Sequence, residues 1–96
     1  MLHLIFQSPI DKSILDRMAH GDSAVFLESA VLGVLSQGKM AGILSNKLNS
    51  NSLYVLSEDM AIRGINEIEL VEGLKVIDYA GLVRLTVENP LIASWC

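Results

Sequence analysis

The chain has 96 residues, of which 51% are apolar, 5% aromatic and 19% charged, with a formal net charge of −4. That length holds one domain, residues 1–96, and the high aliphatic content calls for a tight core or an apolar surface met by another chain. The single Cys96 excludes a disulfide framework and a cysteine-based zinc site, and seven Lys and Arg against eleven Asp and Glu argue against a direct nucleic-acid partner. No apolar run reaches the ~18 residues of a membrane span, because Gly21-Asp22, Glu28 and Gly38-Lys39 interrupt every candidate. The opening Met1–Phe6 has no basic stretch and no small-residue cleavage site, so a cytoplasmic chain without a signal peptide is expected.

Leu2–Gln7 is a short apolar run closed by Ser8-Pro9 and predicts a buried strand. Asp11 or Ser13 caps a helix to about Ala19, whose apolar face is Ile14, Leu15 and Met18. After the turn at Gly21-Asp22, Ala24–Leu27 predicts a second strand, and Ser29–Gln37 a helix stopped by Gly38. Met40–Leu48 is an ambiguous short helix, weakened by Gly42 and Asn46. Leu53–Leu56 is a third strand. Ser57 caps a helix with Glu58 and Asp59 in its first turn, ended by Gly64. Lys75–Asp78 is a fourth strand, Tyr79–Glu88 a last helix, and Leu91–Trp95 a terminal strand or tail.

Strand and helix thus alternate about four times. Continuous apolar strands need both faces covered, so the expected fold is α/β: a small flavodoxin-like, three-layer arrangement around a mainly parallel sheet.

Ligands of such sheets sit beyond the carboxyl ends of the strands. The strand exits here read Gln7-Ser8-Pro9, Glu28-Ser29, Ser57-Glu58-Asp59 and Asp78-Tyr79, with no glycine-rich phosphate cradle. No cofactor and no metal are expected. Glu58 and Asp59 are adjacent carboxylates that could do acid–base work, but both also suit a helix N-terminus. His3 in a strand and His20 before a turn lack a clustered third ligand. Cys96 is a low-ranking thiol candidate, because a neighbouring carboxylate disfavours the thiolate. Between Ser57 and Glu72, five acids face Arg63 alone, which accounts for the whole net charge and marks either a solvated face or an edge steering a basic partner. Phe26 and Tyr54 are expected in the core. Tyr79 and Trp95 are contact candidates, Trp95 above all because a small domain covers a chain-end indole with difficulty.

The stretches Leu56-Ser57-Glu58-Asp59-Met60-Ala61-Ile62-Arg63-Gly64 and Asp78-Tyr79-Ala80-Gly81-Leu82-Val83-Arg84-Leu85-Thr86 resemble the TusB/DsrH family. So do Met1-Leu2-His3, Gly21-Asp22 and the tryptophan near the C-terminus. The resemblance spans essentially the whole chain. It implies a DsrEFH-like fold and a non-catalytic subunit that assembles with TusC-like and TusD-like homologous chains as a dimer of heterotrimers. That complex takes persulfide sulfur from a TusA-like donor and passes it, through a TusE-like acceptor, toward 2-thiolation of the tRNA wobble uridine. The sulfur-carrying cysteine of the TusD-type subunit has no counterpart in Leu56–Asp59, and Cys96 matches no carrier position of the family. Related DsrH-type subunits of sulfur oxidisers can carry a cysteine near the first helix end, where this chain has His20. A sulfurtransferase using Cys96 and a DsrH-like role are the alternatives. Interface candidates are Glu58, Asp59, Arg63, Tyr79, Arg84 and Trp95.

Overall fold

The structure, a computed structural model, describes residues 1–95. Cys96 lies outside the described residues.

Five strands form one sheet: β1 (Leu2–Ile5), β2 (Ser23–Phe26), β3 (Ser52–Leu56), β4 (Lys75–Ile77) and β5 (Ile92–Trp95). Their order is β4-β3-β2-β1-β5, and every pairing is parallel. The chain steps outward from β1 to β4, then crosses the whole sheet to lay β5 on the free side of β1, in the register Leu2↔Ile92 to Ile5↔Trp95. The expected terminal strand or tail is a strand.

The period-2 alternation of side chains splits the apolar strands between two layers. Ile5, Ala24, Phe26, Leu53 and Val55 face α1 (Lys12–Asp16), a 3-10 helix (Glu28–Val34), α2 (Ala41–Lys47) and α3 (Ser57–Ile62), and meet their buried Leu15, Val31, Val34, Leu44 and Met60. Leu2, Val25, Leu27 and Leu56 face the other way, under Leu82 and Leu85 of α4 (Tyr79–Glu88). The three-layer expectation is met, with unequal layers. One face carries four helical segments; the other carries α4 alone.

Two helices are shorter than their patterns predict, each for a local reason. The residues 29–37 form a 3-10 helix that stops at Val34 instead of an α-helix to Gln37. Its end is clipped onto a second 3-10 turn, Glu67–Glu69: Val71 N–H donates to the Val34 carbonyl (3.0 Å) and Ser36 N–H to that of Glu69 (2.8 Å). A Cβ at Gly33 would stand 2.6 Å from Ile10 Cδ1, so any larger residue there requires the Ile10 side chain to shift. α1 ends at Asp16 rather than Ala19. Ala19 gives its N–H to the Asp22 carboxylate (3.1 Å) and its carbonyl to the Asn51 amide (2.7 Å), and both bonds draw it off the helix.

α3 differs at its start. Ser57 is the first helical residue, not the cap, and its hydroxyl donates to Glu58 Oε1 at 3.0 Å. Gly64 ends α3 as expected, at φ +68°, in the left-handed region where a side chain costs about 1 kcal/mol.

Candidate functional site

Because every strand is parallel, all the strand exits fall on one edge of the sheet. There the residues after β1, β2, β3 and β4 are tied together. Ser29 Oγ donates to the Phe6 carbonyl (3.3 Å) and accepts from Ser8 N–H (3.2 Å), joining the first two exits. Asp59 Oδ2 accepts from Glu28 N–H at 2.7 Å, joining the second and third. Glu58 Oε2 accepts from Tyr79 N–H (3.3 Å), joining the third and fourth.

The geometry separates the two adjacent carboxylates. Asp59 points into the domain and is 8% exposed, while Glu58 runs along the edge toward α4. They share no proton-accepting site, so acid–base work by the pair is not built here. Arg63 turns back on its own helix, with Nη1 donating to the Asp59 carbonyl at 3.5 Å. Tyr79 opens α4, half exposed, and Arg84 lies exposed on the same helix. The structure therefore gathers Glu58, Asp59, Arg63 and Tyr79 around the β3 and β4 exits, and leaves Trp95 at the opposite side of the sheet.

Glu28 is the residue that sequence reasoning missed. It takes φ +50°, and no other residue besides glycine takes positive φ among the described residues. A side chain held there stores about 1 kcal/mol or more, and such strain collects where an edge must keep one shape. Asp59 is what holds it. Asp59→Ala is expected to cost about 1.5–3 kcal/mol, the worth of a hydrogen bond to a charged acceptor. Glu28→Gly is expected to raise stability by about 1 kcal/mol by removing the strain. Urea unfolding of the two variants checks both, and a loss on Glu28→Gly would show that its side chain, not its backbone, matters.

Trp95 closes β5. β5 lies beside β1 rather than outside the domain, so the indole is half covered by its own chain: it stacks near His3 (centroids 6.3 Å apart, 18° between planes), with the Arg17 guanidinium 5.7 Å from its ring centroid. Trp95 Nε1–H donates to His3 Nδ1 (3.2 Å), and His3 Nε2 meets Asp22 Oδ2 (2.9 Å). The Asp22 carboxyl is held below its usual range, chiefly by the His3 hydrogen bond, then by the Met1 ammonium and Ala19 N–H, against partial desolvation. A depressed acid stabilises the fold above the unfolded-state pKa of about 3.9, and that stability is lost as pH falls through the lower folded value. Asp22→Asn is therefore expected to cost about 1–3 kcal/mol at neutral pH and to flatten the acid limb of the stability curve. Urea titrations at neutral and acid pH measure it; equal acid sensitivity in the variant would count against the assignment.

Among the described residues, this edge assembles no nucleophile with a base. The Ser29 and Ser57 hydroxyls are engaged with a backbone carbonyl and with Glu58, His3 lies buried within β1, and His20 is exposed in the turn after α1. Among the described residues no three His, Cys, Asp or Glu side chains come close enough to hold a metal ion, and no helix is long and apolar enough to cross a membrane.

A family model described as "DsrH like protein" matches residues 6–91. The chain belongs to the TusB/DsrH family. Over 99% of its length it is 33% identical to Protein TusB of Pectobacterium parmentieri and 31% identical to Protein TusB of Escherichia coli K12, covering all of each. Two solved structures share the fold of this DsrH-like chain. A protein of unknown function, MTH1491 from Methanobacterium thermoautotrophicum, superposes with a TM-score of 0.79 at 16% identity, over 98% of this chain and 96% of that one. The ychN protein of E. coli superposes with a TM-score of 0.73 at 14% identity, over 98% and 97%.

Further along the DsrH-like chain, α4 carries two apolar faces. Leu82 and Leu85 turn inward, while Tyr79, Val83 and Val87 recur at i, i+4, i+8 on the outside, 54%, 58% and 79% exposed, and Leu91 extends the stripe at 62%. Not one α4 residue is fully buried by the chain itself, and beneath the helix Leu4, Phe6 and Tyr54 are only partly covered.

Proposed function

We propose that this chain is a non-catalytic subunit of a heteromeric sulfur-relay complex of the TusBCD type. Within it, TusC-like and TusD-like homologous chains dock on this subunit. The assembled complex, not this chain alone, takes persulfide sulfur from a TusA-like donor and hands it to a TusE-like acceptor, toward 2-thiolation of the tRNA wobble uridine in the cytoplasm. No direct contact with nucleic acid is part of this role.

The observation that carries the reading is α4. Among the described residues it is the sole helical cover of one sheet face, yet its outer stripe is apolar and open. A homologous α/β chain offers the kind of surface that would complete it, because a small parallel sheet needs both faces covered. Full-length similarity to proteins named TusB supports the same assignment. Tyr79 and Arg84 on α4, with Glu58 and Arg63 beside its start, form the contact surface in this reading. Asp59 and Trp95 act from within, shaping the edge and fixing β5.

The test is a tagged pull-down from the native host, with partners identified by mass spectrometry and supplied with labelled sulfur. Two small homologous chains, one of which takes the label on a thiol, are expected. Recovery of this chain alone, with the label on Cys96 and lost in Cys96→Ser, would overturn it. A DsrH-like role in sulfur oxidation shares the family description, and it would be read from partners belonging to that oxidation system instead.

A further inference from the structure

We propose that His3 is a proton-sensitive latch that holds the edge strand β5 against β1. This inference stands apart from the sulfur-relay reading and rests on three residues, His3, Asp22 and Trp95. His3 is 3% exposed, in the middle of β1, with Ala24 of β2 on one side and Ala93 of β5 on the other. Both ring nitrogens are engaged. Nδ1 lies 3.2 Å from Trp95 Nε1, an indole N–H that can only donate, so Nδ1 must offer its lone pair. Nε2 lies 2.9 Å from the Asp22 carboxylate, which can only accept while ionised, so Nε2 carries the proton. The two contacts admit one form of the ring: the neutral Nε2–H tautomer.

A second proton has a single place to go, Nδ1. There it would set an N–H against the Trp95 N–H at hydrogen-bonding distance, and the contact would open. Proton uptake and release of the indole are thus one event, since the proton binds only the unlatched arrangement. The charged groups around the pair are Asp22 on the Nε2 side, the Met1 ammonium 3.2 Å from Asp22 Oδ1, and Arg17 over the indole. Asp22 steadies a charged ring; the two cations oppose it. Besides the latch, β5 is held by its parallel ladder to β1, by the Leu2 and Phe6 N–H groups donating to the Leu91 and Trp95 carbonyls, and by the indole packed against the larger core layer. The strand is four residues long, Ile92 and Ser94 are not buried, and its outer edge is unpaired.

The chain has one tryptophan, so its emission reports the latch directly. Phe6 N–H, which donates to the Trp95 carbonyl at 3.1 Å, reports the strand pairing. Lowering the pH from about 8 to about 5, the range in which imidazoles change charge, is expected to shift Trp95 emission to the red. It is also expected to speed exchange of the Phe6 amide about tenfold or more relative to its intrinsic rate at each pH. His3→Gln keeps an acceptor for Trp95 and a donor for Asp22 without a titrating group, and is expected to abolish both responses while His20→Gln preserves them. Imidazole nitrogen NMR of the unaltered protein needs no variant: at about pH 8 it should show Nδ1 unprotonated and Nε2 protonated. The opposite tautomer, an unresponsive wild type, or a response that survives in His3→Gln would overturn the proposal.

Discussion

Val83→Asp together with Val87→Asp is expected to abolish recovery of partner chains while leaving the isolated domain folded. Both side chains stand more than half exposed on the outside of α4, so neither contributes much to the core of this chain. Each apolar side chain buried in an interface is worth about 1.5–3 kcal/mol, and a carboxylate placed there adds the cost of burying an unpaired charge. The pair should weaken association about 100-fold or more. By contrast, the urea midpoint of the lone domain should move by about 0.5 kcal/mol or less per site, the usual range for exposed positions. Co-expression with the homologous chains, followed by capture and an unfolding curve, separates the two quantities. Undiminished capture would remove α4 as the docking surface, and with it the structural support for the subunit reading.

Phe26→Ala carries the largest expected loss of stability. Phe26 is fully buried at the centre of the five strands, paired with Ile5 of β1 and Val55 of β3. Truncating a core phenylalanine costs about 3–5 kcal/mol, out of a total of about 5–15 kcal/mol for a domain. The variant should be marginal or insoluble at growth temperature. Phe26→Leu, which keeps most of the volume, should lose less than half as much. Denaturant midpoints measure the difference. A small loss for the alanine variant would mean that the larger core layer repacks around β2.

The contrast between what was readable and what was not follows from sequence distance. Each of the strands β1 to β4 announces itself as a short apolar run between turn residues, so the expected and observed limits differ by two residues at most. Phe26 reads as core for the same reason. Family membership was equally legible, from two contiguous motifs around Glu58–Gly64 and Asp78–Thr86. The joins across the site were not. Asp59 finds Glu28 from 31 residues away, and Trp95 finds His3 across 92. Local pattern carries no trace of such pairs. Glu28 is hidden for a second reason: a left-handed backbone at a glutamate contradicts its own preference and exists only because Asp59 and the strand ends impose it. The 3-10 helix is a milder case, in which an apolar pattern suited to an α-helix is cut short by a strand-like clip to residues 69–71.

The placement of β5 also sets an order of events during synthesis. β1 is made well before its second neighbour, which spans residues 92–95. At about 5–20 residues per second, roughly 3–13 s separate completion of β2 from the arrival of β5. Through that interval β1 presents an open row of peptide groups, and Leu2 N–H and Phe6 N–H have no strand to donate to. Strand edges of that kind are what a neighbouring nascent chain can add to by mistake. β5, which is made after the other four strands, is therefore the strand that closes the sheet, and a cell that produces this protein must keep unfinished chains apart until it emerges.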